Sequence, residues 1–234
     1  MGGGKSGTVS WVRRRSVEQV VSLVAKTGRS PVRQTRDAEA TKGQILDAAE
    51  EEFARFGLIG ARTEVIASKT GVTKAMIYYY FNSKEELYQA VLKRHAAIFL
   101  DAVDRLHTQQ LSPEDALKQM IRAAVAHELA YPNQGKILLH EAMQNEGKYF
   151  KLTGWDVPIG LGMKLLQQGI DKGYFRPHNP WLMMIHIMGV ITFYFNAENN
   201  LKNITPERQW QSAEAIEEFT ESVSALILAG LKKT

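Results

Sequence analysis

Between residues 73 and 79 the chain offers Thr73, Lys74, Ala75, Tyr78 and Tyr79 at spacings that share the outer side of a short helix. These side-chain types suit the reading of base edges. A lysine donates to guanine O6 or N7, and an alanine or a threonine methyl rests on a thymine methyl. Tyr78 and Lys84 suit phosphate oxygens, which position a protein on DNA without reading sequence. Lys42, near the start of an earlier helical stretch, is a further phosphate candidate. Met76, Ile77, Tyr80 and Phe81 take the opposite, core-facing side.

Three helical patterns must hold that surface in place. Thr41 and Gln44 stand at capping-box spacing and mark a helix start. Ile45, Leu46, Ala49, Phe53 and Phe56 follow at helical spacing, and Gly57 ends the run. A second short helix covers about 63–69 and buries Val65, Ile66 and Ala67. Gly71 falls where a tight turn needs positive φ. Val72 plugs the core, and Thr73 caps a third helix running to about Tyr79. Ser83 and Glu86 cap a long fourth helix. Two helices and a tight turn, with an exposed second helix, is the layout of a helix-turn-helix.

No reaction chemistry competes with this reading. The chain has no cysteine, so disulfides and thiolate metal ligation are excluded. No pair of histidines has zinc spacing with a third ligand, and no G-x-S-x-G motif is present. Neither a cofactor nor a metal is expected, nor an enzyme.

From residue 84 onward the pattern is helix and short loop, so the fold class is all-α: a three-helix reader followed by a helical body. Helices are expected over about 84–107, from Ser112-Pro113 to Tyr131, over 133–146, from about 155 to 172, from Pro180 to Asn196, and from Thr205-Pro206-Glu207 to Leu231. The division is a basic extension over 1–37, a DNA-binding domain over 38–84 and a body over 85–234. His95, Phe99, His127, Tyr131, His140, Met143, Trp155, Met163 and Phe193 are candidates for a mostly apolar ligand pocket with few polar anchors. Ile216, Phe219, Val223, Leu226 and Ile227 form an apolar stripe on the last helix. The helix from Pro180 is apolar almost all round. Both features point to a homodimer interface, because large apolar patches rarely stay exposed.

The net charge of +4 is unevenly spread. Residues 1–37 hold eight basic and two acidic residues, a net of +6, which leaves −2 for the remainder. That stretch reads either as an arm touching phosphates or the minor groove, or as a solvated tail. Val17, Val20, Val21 and Val24 allow a short amphipathic helix in it. No signal peptide is expected, and the most apolar run, 181–195, is shorter than the ~20 residues of a spanning helix. A cytoplasmic protein without membrane association is therefore expected.

The run Ile66-Ala67, Thr70-Gly71-Val72-Thr73-Lys74, Ile77-Tyr78-Tyr79-Tyr80-Phe81 and Lys84-Glu85-Glu86-Leu87 resembles the DNA-binding end of the tetracycline-repressor (TetR) family. The resemblance places the same DNA-facing roles on these positions. It departs at the second helix's start, where the family has Thr or Ser and this chain has Ala61 and Arg62. Either Arg62 replaces the contact by charge, or Thr63 caps from a shifted start. The resemblance implies a homodimer joined through a four-helix interface and bound to a double-stranded DNA operator. It also implies a repressor released when a small, largely apolar effector moves the fourth helix. A regulator or architectural protein without a small ligand, whose body only dimerises or binds a protein, is the alternative.

Overall fold

The computed structural model describes residues 31–232, so expectations for the basic arm over 1–30 lie outside the described residues. Of the described residues, 31–43 belong to one unit and those from Gln44 onward to a second. The helices are α1 (Pro31–Gly60), α2 (Thr63–Thr70), α3 (Lys74–Phe81), α4 (Lys84–Asp104), α5 (Pro113–Ala130) and α6 (Pro132–Gln144). They continue with α7 (Asp156–Asp171), α8 (Pro180–Asn196), the short α9 (Glu198–Leu201) and α10 (Ala213–Leu231). No strand forms among the described residues.

Local signals set most boundaries. Gly57, expected to end the first helix, instead breaks it with φ 64° inside α1, which resumes to Gly60, and Gly71 has φ 68° at the turn between α2 and α3. Both values lie in the left-handed region that only glycine enters freely. The Thr73, Ser83 and Ser112 side chains accept from the backbone N–H groups of Met76, Glu86 and Asp115. Asn179 accepts from Trp181 and Leu182 N–H at the start of α8, where Pro180, lacking an N–H, needs no acceptor.

Two expected boundaries move. Thr41 does not start a helix: α1 begins at Pro31, and the Thr41 hydroxyl donates to the Asp37 carbonyl 2.8 Å away. The last helix starts at Ala213, capped by Ser212, rather than at Thr205-Pro206-Glu207. Residues 205–212 form turns instead. The Tyr194 hydroxyl holds them by donating to the Trp210 carbonyl at 2.7 Å.

Two apolar cores organise the second unit. One joins α1 to α4 through Ile45, Phe53, Ile66, Ile77, Phe81 and Tyr88, with Phe53 and Tyr88 edge to face at 5.0 Å. The other joins α5, α7, α8 and α10 through Leu117, Ile121, Leu166, Ile187, Val223 and Ile227. Arg122 of α5 ties this second core's rim by donating to Glu217 and Glu221 of α10.

Candidate nucleic-acid interface and ligand cavity

The exposed side of α3 is a consequence of its buried side. Ile77 and Phe81, one turn apart, enter the core. That turns Thr73, Lys74, Ala75, Tyr78 and Tyr79 to solvent, with Tyr79 82% exposed. Met76, expected inside, is exposed because it precedes the Ile77–Phe81 stripe by one position. Lys74 Nζ donates to the Glu64 carboxylate and lies 5.8 Å from the centre of the Tyr78 ring. This pairing raises the Lys74 ammonium's pKa and lowers that of the Glu64 carboxyl.

The start of α2 resolves the departure seen in the sequence. Arg62, not Thr63, occupies the N-cap, and its side chain makes no capping bond. The orphan amide problem is met from another helix: Arg62 N–H donates to the buried Glu52 carboxylate at 3.2 Å. The Arg62 side chain is thereby left exposed. Thr63 is buried, with its hydroxyl 3.4 Å from that of Tyr78. Thr63 therefore sits behind the surface and aligns Tyr78. Lys84 is partly engaged as well, donating to the Ile59 and Ala61 carbonyls at 3.3 and 3.1 Å. Lys42 is half-buried on α1 within the N-terminal unit.

A cavity of about 320 Å³ lies among α4, α5, α6, α7 and α8. Phe99, His127 and Trp155 of the nine sequence candidates line it. His95 and Tyr131 form a second layer, their rings 6.2 and 4.8 Å from His127. The other four lie off the cavity, for reasons of helix phase. Met163 packs in the second core, and His140 is half-exposed. Met143 and Phe193 face outward at 80% and 64% exposure. Glu128, Gln134, Trp181 and Thr192 line the cavity without having been singled out. For Glu128 a signal existed: it continues the apolar stripe of Leu117, Ile121 and Ala124 at helical spacing, an unusual place for an acid.

The polar groups of the cavity are few. His127 Nε2 meets the Gln134 side-chain oxygen. Burial holds the imidazole's pKa below its usual value, the bond to Gln134 opposes this, and nearby His95 adds to it. Behind it, His95 Nε2 lies 2.8 Å from the Glu50 carboxylate on α1. A continuous chain of contacts thus runs from the cavity wall through His127 and His95 to the first helix of the reader.

The dimer stripe is also re-sorted. Val223 and Ile227 are buried in the chain's own core, and Ile216 and Phe219 pack partly against it. Leu226 alone of the five points clearly outward, 65% exposed, beside exposed Ala225 and Ala229. On α8 the outward residues include Trp181, Leu182, Ile185, Gly189 and Phe193. No helix among the described residues is long and apolar enough to cross a membrane.

Residues 45–91 match the family model for bacterial regulatory proteins of the tetR family, and residues 113–227 one for tetracyclin repressor-like C-terminal domains. The chain is 25% identical to the HTH-type transcriptional repressor NicS of Pseudomonas putida, over 85% of this chain and 95% of that protein. It is 27% identical to the HTH-type transcriptional regulator RutR of Escherichia coli, over 86% and 94% respectively. The solved structure of the fatty acid degradation regulator FadR from Bacillus halodurans shares the fold, with a TM-score of 0.64 at 22% identity. It aligns over 86% of this chain and 97% of that one.

Proposed function

Because the chain belongs to the TetR family of bacterial transcriptional regulators, we propose that it acts as a homodimeric, cytoplasmic repressor that a small, largely apolar effector releases from its operator. Residues 38–84 serve as reader and residues 85–234 as ligand-binding and dimerisation body. The observation that carries this reading is the placement of the cavity. Its wall residue His127 packs on His95, and His95 holds Glu50 of the reader's first helix. A ligand that shifts α4 or α5 therefore acts on the element that carries α3.

The α3 surface offers Thr73, Lys74 and Ala75 at the helix N-terminus for base edges, with Tyr79 farther along and Tyr78 for a phosphate. Arg62 and Lys84 at the ends of neighbouring helices suit phosphate contacts, with Lys42 as a further one, and Thr63 supports Tyr78 from behind. The body is a binding module rather than an enzyme. Its cavity is lined mainly by apolar side chains, and His127 Nε2 donates to the Gln134 side-chain oxygen rather than facing a nucleophile.

Binding of the full chain to DNA upstream of its own gene tests the proposal, by fluorescence anisotropy at about 0.15 M salt with scrambled competitor. Binding that resists competitor, at two chains or a multiple of two per site, is expected. Displacement by any DNA alike at that site sends the search to genome-wide site selection. If no specific sequence emerges there, the repressor reading fails.

A further inference from the structure

We propose that the cavity is built for an amphiphile carrying a protonated amine, with its apolar or aromatic body filling the space between α5 and α8 and its ammonium donating to Glu128. The inference rests on reading the cavity as the effector site and names the chemical class that this site takes.

Glu128 is the one carboxylate among the described residues that line the cavity, and no lysine or arginine lines it. Its Oε2 is buried without a hydrogen-bond partner among the described residues. The Asn196 side-chain amide gives one N–H to the Thr192 carbonyl at 2.9 Å and makes no hydrogen bond to this oxygen. Burial, unopposed by any cation or donor, pushes the Glu128 carboxyl up to about 7. A buried polar group without a partner is costly, so such groups in folded proteins call for an explanation.

The backbone makes room for this carboxyl rather than closing over it. Gly135 of α6 packs where a Cβ would lie 2.9 Å from Glu128 Oε2 and 2.6 Å from Asn196 Nδ2. A larger residue there would require the Asn196 amide or the Glu128 carboxyl to shift.

Ligand charge then decides the energetics. A guest without a donor leaves the desolvation of the carboxylate uncompensated, a neutral hydroxyl supplies a donor but no charge, and an anionic guest adds repulsion. A protonated amine supplies both the opposite charge and the missing donor. Its remaining field falls on aromatic rings, because Phe99, Phe150, Trp155 and Trp181 also line the space. Ring faces attract cations, most strongly where water is excluded.

Three probes with one skeleton separate the possibilities: 4-phenylbutylamine, 4-phenylbutan-1-ol and 4-phenylbutyrate, each titrated into the full-length protein. Binding is read from tryptophan fluorescence, since Trp155 and Trp181 line the cavity. At pH 8 the amine is expected to bind at least about tenfold more tightly than the alcohol, with the carboxylate weakest. Glu128→Gln should bring the amine to within about threefold of the alcohol, both measured on that variant. The wild-type series decides the matter alone if that variant does not fold. An amine that binds no better than the alcohol, or a preference that survives Glu128→Gln, overturns the amine class while alcohol binding keeps the cavity as a ligand site. If none of the three alters the fluorescence, both the class and the effector-site reading fall.

Discussion

A lysine that reads a base must first leave the carboxylate it already holds. Lys74 donates to Glu64, and both side chains are well exposed, so the pair is screened and weak. DNA can compete for this lysine at small cost. Lys74→Ala removes the donor and leaves Glu64 facing the phosphates. Operator affinity should fall by about 1–3 kcal/mol, the worth of one good base contact. The melting temperature should barely move, as for other surface substitutions. Tyr79→Ala, at the most exposed aromatic of α3, should also weaken binding without loosening the fold. Anisotropy and thermal melts on the two variants check both halves, and unchanged operator affinity would take α3 out of the reading role.

Glu128 makes a residue-scale prediction about pH. Its carboxyl sits at about 7 in the folded chain against 4.5 for the free group. The protonated form is therefore favoured by folding. The contribution is fully present below pH 4.5 and is lost as pH rises through 7. At about 1.4 kcal/mol per pK unit the upper bound is roughly 3 kcal/mol. His127 runs the other way. Its folded pKa lies below 6.5, so its contribution is present above 6.5 and lost as pH falls. The comparison with Glu128→Gln isolates the acid, since glutamine mimics the protonated form at every pH. Denaturant melts should show the variant close to wild type at pH 5 and more stable by about 1–3 kcal/mol at pH 8. A difference that does not change with pH would mean the carboxyl titrates normally.

At the scale of elements, α7 carries two glycines whose replacement should behave oppositely. A Cβ at Gly169 would lie 2.1 Å from the Phe175 ring, which is buried and rigid. A Cβ at Gly162 would meet only the flexible end of Met184, at 2.6 Å from its sulfur. Gly169→Ala should cost about 1–3 kcal/mol by overpacking. Gly162→Ala should be close to neutral, because the thioether can swing into the cavity and alanine favours the helix. Equal costs in a denaturant melt would show that α7 and its neighbours adjust as whole bodies.

The same scale explains what could be read from the chain. Capping side chains and glycines act within a few residues, so the turn at Gly71 and the starts at Thr73, Ser83, Ser112 and Pro180 were legible. The start of α10 was not, because Thr205-Pro206-Glu207 and Ser212 carry equally good signals. The choice falls to the Tyr194–Trp210 bond between distant segments. Helical periodicity marked the right apolar stripes but not what covers them. Val223 and Ile227 differ from Leu226 only through the packing of α5 and α8 against α10. The pocket was half legible for the same reason: aromatic and histidine types flagged Phe99, His127 and Trp155. The phase of each helix, which excludes Met143 and Phe193, is a tertiary property.

For the whole molecule, the outward faces of α8 and α10 demand a partner. Leu182, Ile185, Phe193 and Leu226 are each more than 40% exposed, a larger apolar surface than a monomer ordinarily leaves in water. Under the proposed function a second copy of the chain is that partner. Two recognition helices must reach half-sites about 34 Å apart, or a multiple of that, and a two-fold axis sets that distance. The double substitution Phe193→Glu and Leu226→Glu places charge on this face and touches neither the cavity nor α3. Sedimentation velocity should then show a monomer with unchanged helical circular dichroism. Operator affinity should drop by a hundredfold or more, because two tethered readers reinforce each other by about 10²–10⁴ and single ones do not. A variant that remains dimeric would place the two-fold interface on another face of the body. A variant that is monomeric yet binds its operator as tightly as before would remove the dimer from the account of DNA recognition.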